Sequence, residues 1–297
     1  MYYFQSDKIL TVLAPAKLNL FFEVHGKRSD GFHEITSLAV PIRLFDMLTF
    51  EIEPQLDNGK IKFSCLGGKE DVPQDADNIV VRALEMFRKR YGITQGIKVN
   101  LFKRIPSQSG LGGGSSDAAS ALFAAHKLWL PSISITDLIP LAAEIGSDCP
   151  LFLYNNAVIA RGRGEKIETV TRMPKLYFVL FKPADGLSTA AVYAKCMKTH
   201  DKKFRDVLEI SKSLEKGDLI QIGKQLFNRL EYTASEIWSR FNEIKCRLEQ
   251  FDCITVRMSG SGTAFYGLCR NAKHSRHVAA KLRHCLSENE TVYNVES

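Results

Sequence analysis

The sequence feature that most constrains the fold is a glycine-rich loop placed between an apolar strand and an apolar helix. Residues 106–116 read PSQSGLGGGSS, and four of the five positions 110–114 are glycine. The hydrophobic pattern predicts a strand at 97–103 before the loop and an alanine-rich helix at 117–129 after it. Glycines allow positive φ and a close approach of the backbone to a ligand. A flexible hairpin tip is the alternative, but such a tip would have polar flanks.

The start of the helix after this loop is predicted to bind phosphate. Ser115 or Ser116 can cap the helix, and the N–H groups of its first turn form an anion site. Other phosphate-binding motifs do not fit the segment. A Walker A motif needs Gly-Lys-Ser/Thr, which does not occur, and the dinucleotide fingerprint fails because Ser115 stands where its third glycine should be.

Composition narrows the class of protein without naming it. Apolar residues make up 45% of the 297 residues and charged residues 25%, which is typical of a globular chain. The longest uncharged runs (105–116, 149–160 and 258–269) fall short of the roughly 18 residues that span a bilayer. The seven cysteines form no C-x-x-C pair, and unpaired thiols are typical of a reducing compartment. We therefore expect a cytoplasmic protein with no membrane contact.

The net charge of +7 favours a polyanionic partner, which could be nucleic acid, acidic lipid or a phosphorylated metabolite. The basic residues are dispersed along the chain, and no zinc-finger spacing or aromatic RNA-binding signature accompanies them. Charge alone leaves the partner open.

The hydrophobic periodicity predicts an α+β chain with helices on mixed sheets. A helix is expected at 78–91, ended by Gly92, and another at about 136–146. The region 189–251 is predicted to be mostly helical, and a helix near 272–286 lies between the last strands. A boundary near residue 170 divides the chain into domains 1–170 and 171–297. The predicted strands are 9–14, 18–25, 36–42, 47–53, 60–65, 97–103 and, within 151–182, the segments LFLY, AVIARG, IETV and LYFVLF.

Three motifs resemble those of the GHMP kinases, a superfamily of small-molecule kinases. The loop 106–116 with the following Asp-Ala-Ala is similar to their phosphate loop, residues 14–20 (APAKLNL) to their first motif, and residues 258–264 (MSGSGTA) to their third. The resemblance implies that the loop binds ATP, through Pro106, Ser107, Gln108, Ser109, Gly110, Leu111, Gly112, Gly113, Gly114, Ser115 and Ser116.

Membership of this superfamily would imply a two-domain fold. Its N-terminal domain binds nucleotide and contains a left-handed β-α-β unit, its C-terminal domain is ferredoxin-like, and the active site lies between them. Mg²⁺ should accompany ATP, because it neutralises the phosphate oxygens. The Ser116 hydroxyl could ligate the metal, but the metal ligands stay open. The expected partner is a small-molecule substrate rather than nucleic acid, and the expected state is a monomer or weak homodimer.

Two residues are candidates for catalysis of the phosphoryl transfer. Asp148 lies in the run Gly146–Pro150, at a predicted helix-to-strand turn, and a turn-forming aspartate is the alternative reading. The family resemblance places a catalytic aspartate at Asp148 and an active-site lysine at Lys17. Lys17 lies in an otherwise apolar strand, where a solvated lysine is the alternative. Asn19 shares a strand face with Lys17 and resembles the family's substrate-binding asparagine.

Three further segments resemble, in sequence and in order, those of one branch of the family, whose acceptor alcohol carries a cytidine diphosphate. These segments are Gly31-Phe32-His33, residues 77–83 and residues 146–150. A nucleobase needs an aromatic surface to stack on and polar groups at its edge. The resemblance assigns stacking to Phe32, which lacks the hydroxyl of the usual tyrosine, and base recognition to His33. Tyr193 is the candidate second aromatic, with a core tyrosine as the alternative, and Thr189 is a candidate substrate contact.

Two other functions are considered beside a cytidine-diphosphate acceptor. One is a GHMP kinase whose acceptor is homoserine or mevalonate, which would have no use for the Phe32–His33 pair. The other is a non-catalytic nucleic-acid-binding protein that shares the left-handed β-α-β core. Lys17, the glycine loop and Asp148 argue against this second possibility.

Overall fold

The computed structural model describes residues 1–53, 59–67, 72–196 and 204–297. The chain divides into two compact units that alternate along the sequence. The first unit consists of Met1–Ala16, Leu44–Ser107 and Gly112–Asn155, and the second consists of Lys17–Arg43, Gln108–Leu111 and Asn156–Ser297. Two long strands, β2 (Ile9–Lys27) and β3 (His33–Glu53), have residues in both units, and each combines two of the shorter predicted strands. The predicted domain boundary near residue 170 stays a prediction.

The first unit is built from a mixed sheet covered by helices. Its strands are β1 (Tyr2–Ser6), the start of β2 (Ile9–Lys27), the end of β3 (His33–Glu53), β4 (Ile61–Gly67) and β5 (Gly96–Lys103). Strand β5 pairs antiparallel with β3 and parallel with β4, so β4, helix α1 (Ile79–Tyr91) and β5 form a β-α-β unit. The other helices are α2 (Gly113–Trp129), α3 (Leu138–Ile145) and α4 (Cys149–Leu153).

Helix α1 shows how local sequence sets the bounds of an element. The Asn78 side chain accepts a hydrogen bond from the backbone N–H of Val80 and caps the first turn. Gly92 ends the helix in the left-handed conformation, with φ of 67°. The inward face of α1 packs into a core formed by the sheet and the following helices, which includes Leu10, Leu48, Phe50, Leu84, Phe87, Val99 and Leu122. The predicted helix 78–91 is confirmed.

The second unit contains a four-stranded antiparallel sheet in the order β10–β11–β8–β12. These strands are β8 (Tyr177–Lys182), β10 (Thr255–Met258), β11 (Phe265–Cys269) and β12 (Thr291–Glu296). In chain order they are the first, second, third and fourth strands, with helices between the first pair and the last pair. This arrangement of β-α-β-β-α-β with spatial order 2-3-1-4 is the ferredoxin-like pattern. The expected ferredoxin-like domain is confirmed.

Helices and short strands complete the second unit. The strand β6 (Val158–Gly162) pairs antiparallel with β3, β7 (Lys166–Thr169) pairs antiparallel with β6, and β9 (Phe227–Asn228) pairs parallel with β2. The helices are α5 (Thr189–Cys196), α6 (Val207–Lys216), α7 (Leu219–Gln225), α8 (Leu230–Ile237), α9 (Phe241–Glu249) and α10 (Ala272–Arg283). Residues 197–203 of the predicted helical region lie outside the described residues. No helix in the described ranges is long and apolar enough to cross a membrane.

One predicted strand is wrong. The segment LFLY (151–154) belongs to α4 and the residue that ends it, not to a strand. Pro150 occupies the first turn of this helix, where a proline loses no hydrogen bond because those N–H groups have no partner within the helix. All five residues of α4 are buried, so the segment lacks the polar positions that reveal a helical period.

Candidate active site

The first half of the glycine loop, residues 108–111, packs within the second unit against the turn between β10 and β11. The N–H of Ala264 donates to the carbonyl of Ser109 at 2.9 Å, and the Ser259 hydroxyl donates to the carbonyl of Gly110 at 3.0 Å. Gly110 has φ of 74°, and a Cβ there would lie 2.0 Å from the Ser259 carbonyl oxygen. The loop therefore requires glycine at 110 for both conformation and space.

The second half of the loop forms the first turn of α2 in the first unit. Gly112, with φ of 72°, is the N-cap, and the first backbone bond runs from the Ser116 N–H to the Gly112 carbonyl. The prediction that Ser115 or Ser116 caps this helix is wrong, because the left-handed glycine starts the helix three residues earlier. The N–H groups of residues 113–115 precede the first intrahelical bond and carry the positive end of the helix dipole. N–H groups placed in this way can bind an anion.

Two serine side chains in this first turn have different environments. The Ser115 hydroxyl hydrogen-bonds to the Cys149 thiol, and burial raises the pKa of Cys149 to about 12. The Ser116 hydroxyl is buried and makes no hydrogen bond with a described residue. A buried hydroxyl in this position is suited to ligate a metal ion that is also bound by the phosphates of a nucleotide. Within the described ranges no three His, Cys, Asp or Glu side chains are grouped to hold a metal.

A buried ammonium group lies against the first turn of α2. Lys103, at the end of β5, donates to Asp46 at 2.5 Å and to Asp117 at 2.9 Å. Burial alone would lower the pKa of Lys103, but the Asp117 and Asp46 carboxylates raise it above its ordinary value. A Cβ on Gly113 would lie 3.2 Å from Lys103 Nζ and 3.0 Å from a methyl of Ile105. The absence of a Cβ at Gly113 therefore leaves room for the Lys103 ammonium against the first turn of α2.

Asp148 occupies the N-cap position of α4, with φ of −88° and ψ of −13°. The predicted helix-to-strand turn is thus a turn between two helices, α3 and α4. The Asp148 side chain does not cap α4. Its backbone carbonyl accepts from the Leu151 N–H at 3.3 Å, and the Gly146 carbonyl accepts from the Cys149 N–H at 3.1 Å. The role of the Asp148 carboxylate in catalysis stays a prediction.

Lys17 and Asn19 lie side by side on β2 in the second unit. Lys17 is 5% exposed and its ammonium donates to the Asn19 side-chain oxygen. The Asn19 amide in turn donates to the Ser37 hydroxyl at 2.8 Å, and the Tyr266 hydroxyl donates to the Asn19 carbonyl at 2.9 Å. This network fixes both side chains, so Lys17 is not the solvated lysine of the alternative reading.

The candidate base-recognition residues are partly brought together in the second unit. The His33 ring lies against the ring of Tyr193, with centroids 4.9 Å apart, and His33 Nε2 is buried without a hydrogen bond to a described residue. Burial, and then the charge of Lys27, lower the pKa of His33. Phe32 is 47% exposed, and the Arg163 guanidinium lies 4.4 Å from the centroid of its ring.

Thr189 begins α5, and its hydroxyl lies 2.9 Å from the hydroxyl of Ser261 in the turn between β10 and β11. It therefore contacts the third of the three motifs found in the sequence. Whether it touches a substrate stays a prediction.

Comparison with known proteins decides the family. Residues 78–156 match the GHMP kinases N terminal domain, and residues 210–288 match the GHMP kinases C terminal family. A 4-diphosphocytidyl-2-C-methyl-D-erythritol kinase of Pelotomaculum thermopropionicum is 38% identical over 93% of this chain and 94% of its own length. The chain belongs to the 4-diphosphocytidyl-2-C-methyl-D-erythritol kinase family.

As a member of this family within the GHMP superfamily, the chain is an ATP-dependent small-molecule kinase. A crystal structure of a 4-(cytidine 5'-diphospho)-2C-methyl-D-erythritol kinase superposes with a TM-score of 0.79 at 31% identity, covering 97% of this chain and 99% of that one. A homoserine kinase of Cytophaga hutchinsonii superposes with a TM-score of 0.76 at 20% identity, covering 100% and 97%. The second likeness shows the shared fold alone. The sequence-based predictions of family and fold class are confirmed.

Buried polar residues outside the three motifs also bond to the segments that contain or adjoin those motifs. Asp46 accepts from the N–H groups of Arg104 and Ile105, directly before the loop, as well as from Lys103. The only sequence sign of this ion pair was that Asp46 directly precedes the predicted strand 47–53 and that Lys103 ends the predicted strand 97–103. Asn228, in β9, is a second such residue that the sequence did not single out, and its amide donates to the carbonyls of Met258 and Gly260.

Proposed function

We propose that the chain transfers the γ-phosphoryl group of ATP to the 2-hydroxyl of 4-diphosphocytidyl-2-C-methyl-D-erythritol, giving the 2-phosphate and ADP. This reaction belongs to the non-mevalonate (MEP) route to isoprenoid precursors. The observation that carries the proposal is the 38% identity, over 93% of the chain, to a kinase of that name. The phosphate-binding start of α2 and the buried Lys17–Asn19 pair support it.

The ATP phosphates bind to the loop 106–116 in this proposal. The N–H groups of residues 113–115 donate to phosphate oxygens, and the left-handed Gly112 presents them at the helix start. Mg²⁺, when bound, neutralises charge on the β- and γ-phosphate oxygens. The buried Ser116 hydroxyl is the protein group that would ligate it.

Asp148 and Lys17 act on the acceptor hydroxyl. The transferred group leaves ATP while the acceptor oxygen forms the new P–O bond, and the hydroxyl proton passes to the Asp148 carboxylate. The Lys17 ammonium stabilises negative charge on the acceptor oxygen. Its hydrogen bond to Asn19 holds it in place, so little ordering is required when the substrate binds.

The cytidine end of the acceptor binds in the second unit. Phe32 provides a stacking surface for the base. The Arg163 guanidinium, which lies over this ring, must either move away or share the ring with the base. His33 Nε2 bonds to the edge of the base, and Tyr193, whose ring lies against the His33 ring, is the second stacking aromatic. Thr189 contacts the substrate from the start of α5.

We further propose that the kinase works in the cytoplasm as a monomer or weak homodimer and binds no nucleic acid. Its net charge of +7 then serves to attract two phosphorylated substrates. Filter binding to RNA at physiological salt should show only weak affinity that falls steeply with added salt.

An acceptor panel tests the function. The purified protein is incubated with ATP, Mg²⁺ and, in separate reactions, the cytidine-diphosphate alcohol, homoserine or mevalonate, and ADP release and the phosphorus spectrum of the product are recorded. We expect turnover with the cytidine-diphosphate alcohol and a new monophosphate signal at its 2-position. Turnover with homoserine or mevalonate instead would refute the proposal, and ADP release without acceptor gives the background.

A further inference from the structure

Asn228 is a buried amide that none of the sequence motifs includes. It lies in β9, beside β2, and is 3% exposed. Its Nδ2 donates to the carbonyl oxygens of Met258 at 2.8 Å and Gly260 at 2.7 Å, and its Oδ1 accepts from the N–H of Leu230 at 3.0 Å. Both amide hydrogens and the amide oxygen are therefore in use. Burying an amide in this way costs free energy unless every bond is made.

The two carbonyls that Asn228 binds belong to the turn that packs on the Lys17–Asn19 pair. Gly260 has φ of 55°, and a Cβ there would lie 3.0 Å from Asn19 Oδ1 and 3.4 Å from Lys17 Nζ. The backbone of Gly260 thus forms one wall around the Lys17 ammonium. The bond from Asn228 to the Gly260 carbonyl fixes the orientation of the peptide that forms this wall.

The same turn also contacts the glycine loop. The Ser259 hydroxyl donates to the Gly110 carbonyl. The same hydroxyl accepts from the backbone N–H of Asn19 at 3.3 Å. A shift of this turn would therefore move the surroundings of Lys17 and the residues 108–111 together. Displacements of about 1 Å at a reacting centre can cost about 100-fold in rate.

We propose that Asn228 is a positioning residue for phosphoryl transfer, which holds the Met258–Gly260 turn against Lys17 and Asn19. The inference rests on the proposed function for its catalytic consequence, because Lys17 is the residue on which it acts. Asn228 touches neither substrate in this account. Its effect is on kcat, through the geometry around Lys17, because the N–H groups of residues 113–115, which donate to the ATP phosphates in the proposed function, belong to the first unit.

A purely structural role would come from the third bond, in which the Asn228 oxygen accepts from Leu230 at the start of α8. The substitution Asn228→Asp separates the two roles, because it keeps that acceptor and removes both donors to the turn. Asn228→Ala removes all three bonds and serves as the second variant if the buried carboxylate of the first prevents folding. Ser275→Ala is the matched control, since Ser275 is also a buried polar residue of the second unit and donates to the carbonyl of Phe178 at 2.7 Å.

The experiment measures kcat, the ATP dissociation constant, the melting temperature and amide hydrogen exchange in residues 258–264. The acceptor is whichever alcohol of the panel the wild-type protein phosphorylates, so failure of the proposed substrate and failure of this inference are seen separately. We expect kcat to fall about 10- to 100-fold in the Asn228 variants, with faster exchange at the N–H groups of Ser259, Gly262 and Ala264 and ATP binding within twofold of wild type.

Ser275→Ala should lower the melting temperature while kcat and exchange in 258–264 stay at wild-type values. The inference is overturned if the Asn228 variants lose melting temperature like Ser275→Ala but keep wild-type kcat. It is equally overturned if exchange in 258–264 does not change, because the turn would then not depend on Asn228. The exchange measurement needs no turnover and decides the structural step even in a protein that phosphorylates none of the three alcohols.

Discussion

The imidazole of His33 lies against the phenol ring of Tyr193, with the two planes inclined by 35° and the centroids 4.9 Å apart. One ring nitrogen of this histidine, Nε2, is buried and makes no hydrogen bond with a described residue. A buried polar atom without a partner is costly in a protein, so its presence calls for a functional or structural explanation. The nitrogen left unpartnered by the described residues supports the proposal that His33 reads the edge of the cytosine base.

We predict that His33→Ala weakens binding of the cytidine substrate and leaves ATP binding unchanged. Loss of one buried hydrogen bond to the base should cost about 1–3 kcal/mol, which is roughly 5- to 150-fold in affinity. Competition titrations with cytidine nucleotides measure the effect. His25→Ala is the control, since His25 is on the same unit but bonds to Thr36 at 2.8 Å. Equal weakening of both ligands would mean that His33 only supports the fold.

The pH dependence of stability should report on His33 as well. Burial and the charge of Lys27 lower the pKa of His33, so the unfolded chain takes up the proton at a higher pH than the folded chain does. The stability that the neutral imidazole contributes is present above the ordinary value of about 6.5 and is lost as pH falls through the folded pKa. Melting temperatures from pH 7 down to about 5 should therefore fall more steeply in wild type than in His33→Gln. If the melting temperatures of the two proteins fell in parallel with pH, the lowered pKa of His33 would be contradicted.

Local signals made part of the fold predictable, and long-range pairing made the rest unpredictable. The bounds of α1 follow from Asn78 and Gly92, which act on neighbouring residues. The start of α2 was misplaced because serine is the better cap by propensity, whereas Gly112 adopts the left-handed conformation that begins the helix. The Lys103–Asp46 pair joins residues 57 positions apart, and no periodic pattern encodes such a contact.

The residues of the candidate site also fall into those that local sequence predicts and those that depend on distant contacts. Lys17 and Asn19 were found because a family motif and the strand period place them on one face. Asn228 was missed because a single asparagine between helical segments resembles an ordinary loop residue. Its importance depends on two carbonyl groups 30 and 32 residues further along the chain.

A glycine exchange tests the phosphate loop. Gly112→Ala should raise the KM for ATP, because Gly112 starts α2 with φ of 72° and alanine there would distort the N–H groups that bind phosphate. Gly217→Ala is the matched control, since Gly217 ends α6 with φ of 67° and a Cβ there would have no neighbouring atom within 4 Å. Both variants should lose about 1–2 kcal/mol from the left-handed conformation. If both leave ATP kinetics unchanged, the loop does not bind ATP.

The buried ion pair should matter far more to stability than an exposed one. Lys103→Met leaves the Asp46 and Asp117 carboxylates buried without their cation, and we expect a loss of about 3–5 kcal/mol in the free energy of unfolding. Arg161→Met, which removes the exposed pair with Glu168, should cost less than about 1 kcal/mol. Urea denaturation of both variants gives the comparison. Similar losses in the two variants would show that Lys103 is not needed to neutralise these carboxylates.

Substitution of the proposed general base should separate turnover from binding. Asp148→Asn is nearly isosteric, so both substrates should still bind, but an amide cannot accept the hydroxyl proton. Loss of a general base typically lowers kcat by about 10²–10⁴-fold. Asp137→Asn is the control for the same chemical change, because Asp137 caps the 3-10 turn before α3 by accepting from the Ser134 N–H at 3.0 Å. That control should lose some stability and keep its kcat.

The double variant decides whether Lys17 and Asp148 serve one step. Phosphoryl transfer through a loose, metaphosphate-like transition state needs little help from a base early on, so the loss in Asp148→Asn should fall toward the lower end of the range. If Lys17 stabilises charge on the same acceptor oxygen, then Lys17→Ala added to Asp148→Asn should cost less than the product of the two single effects. The measurement is kcat of the three variants at saturating ATP and acceptor. A multiplicative result would assign the two residues to separate steps, and an Asp148→Asn enzyme that keeps more than about a third of wild-type kcat would leave Asp148 as a turn residue only.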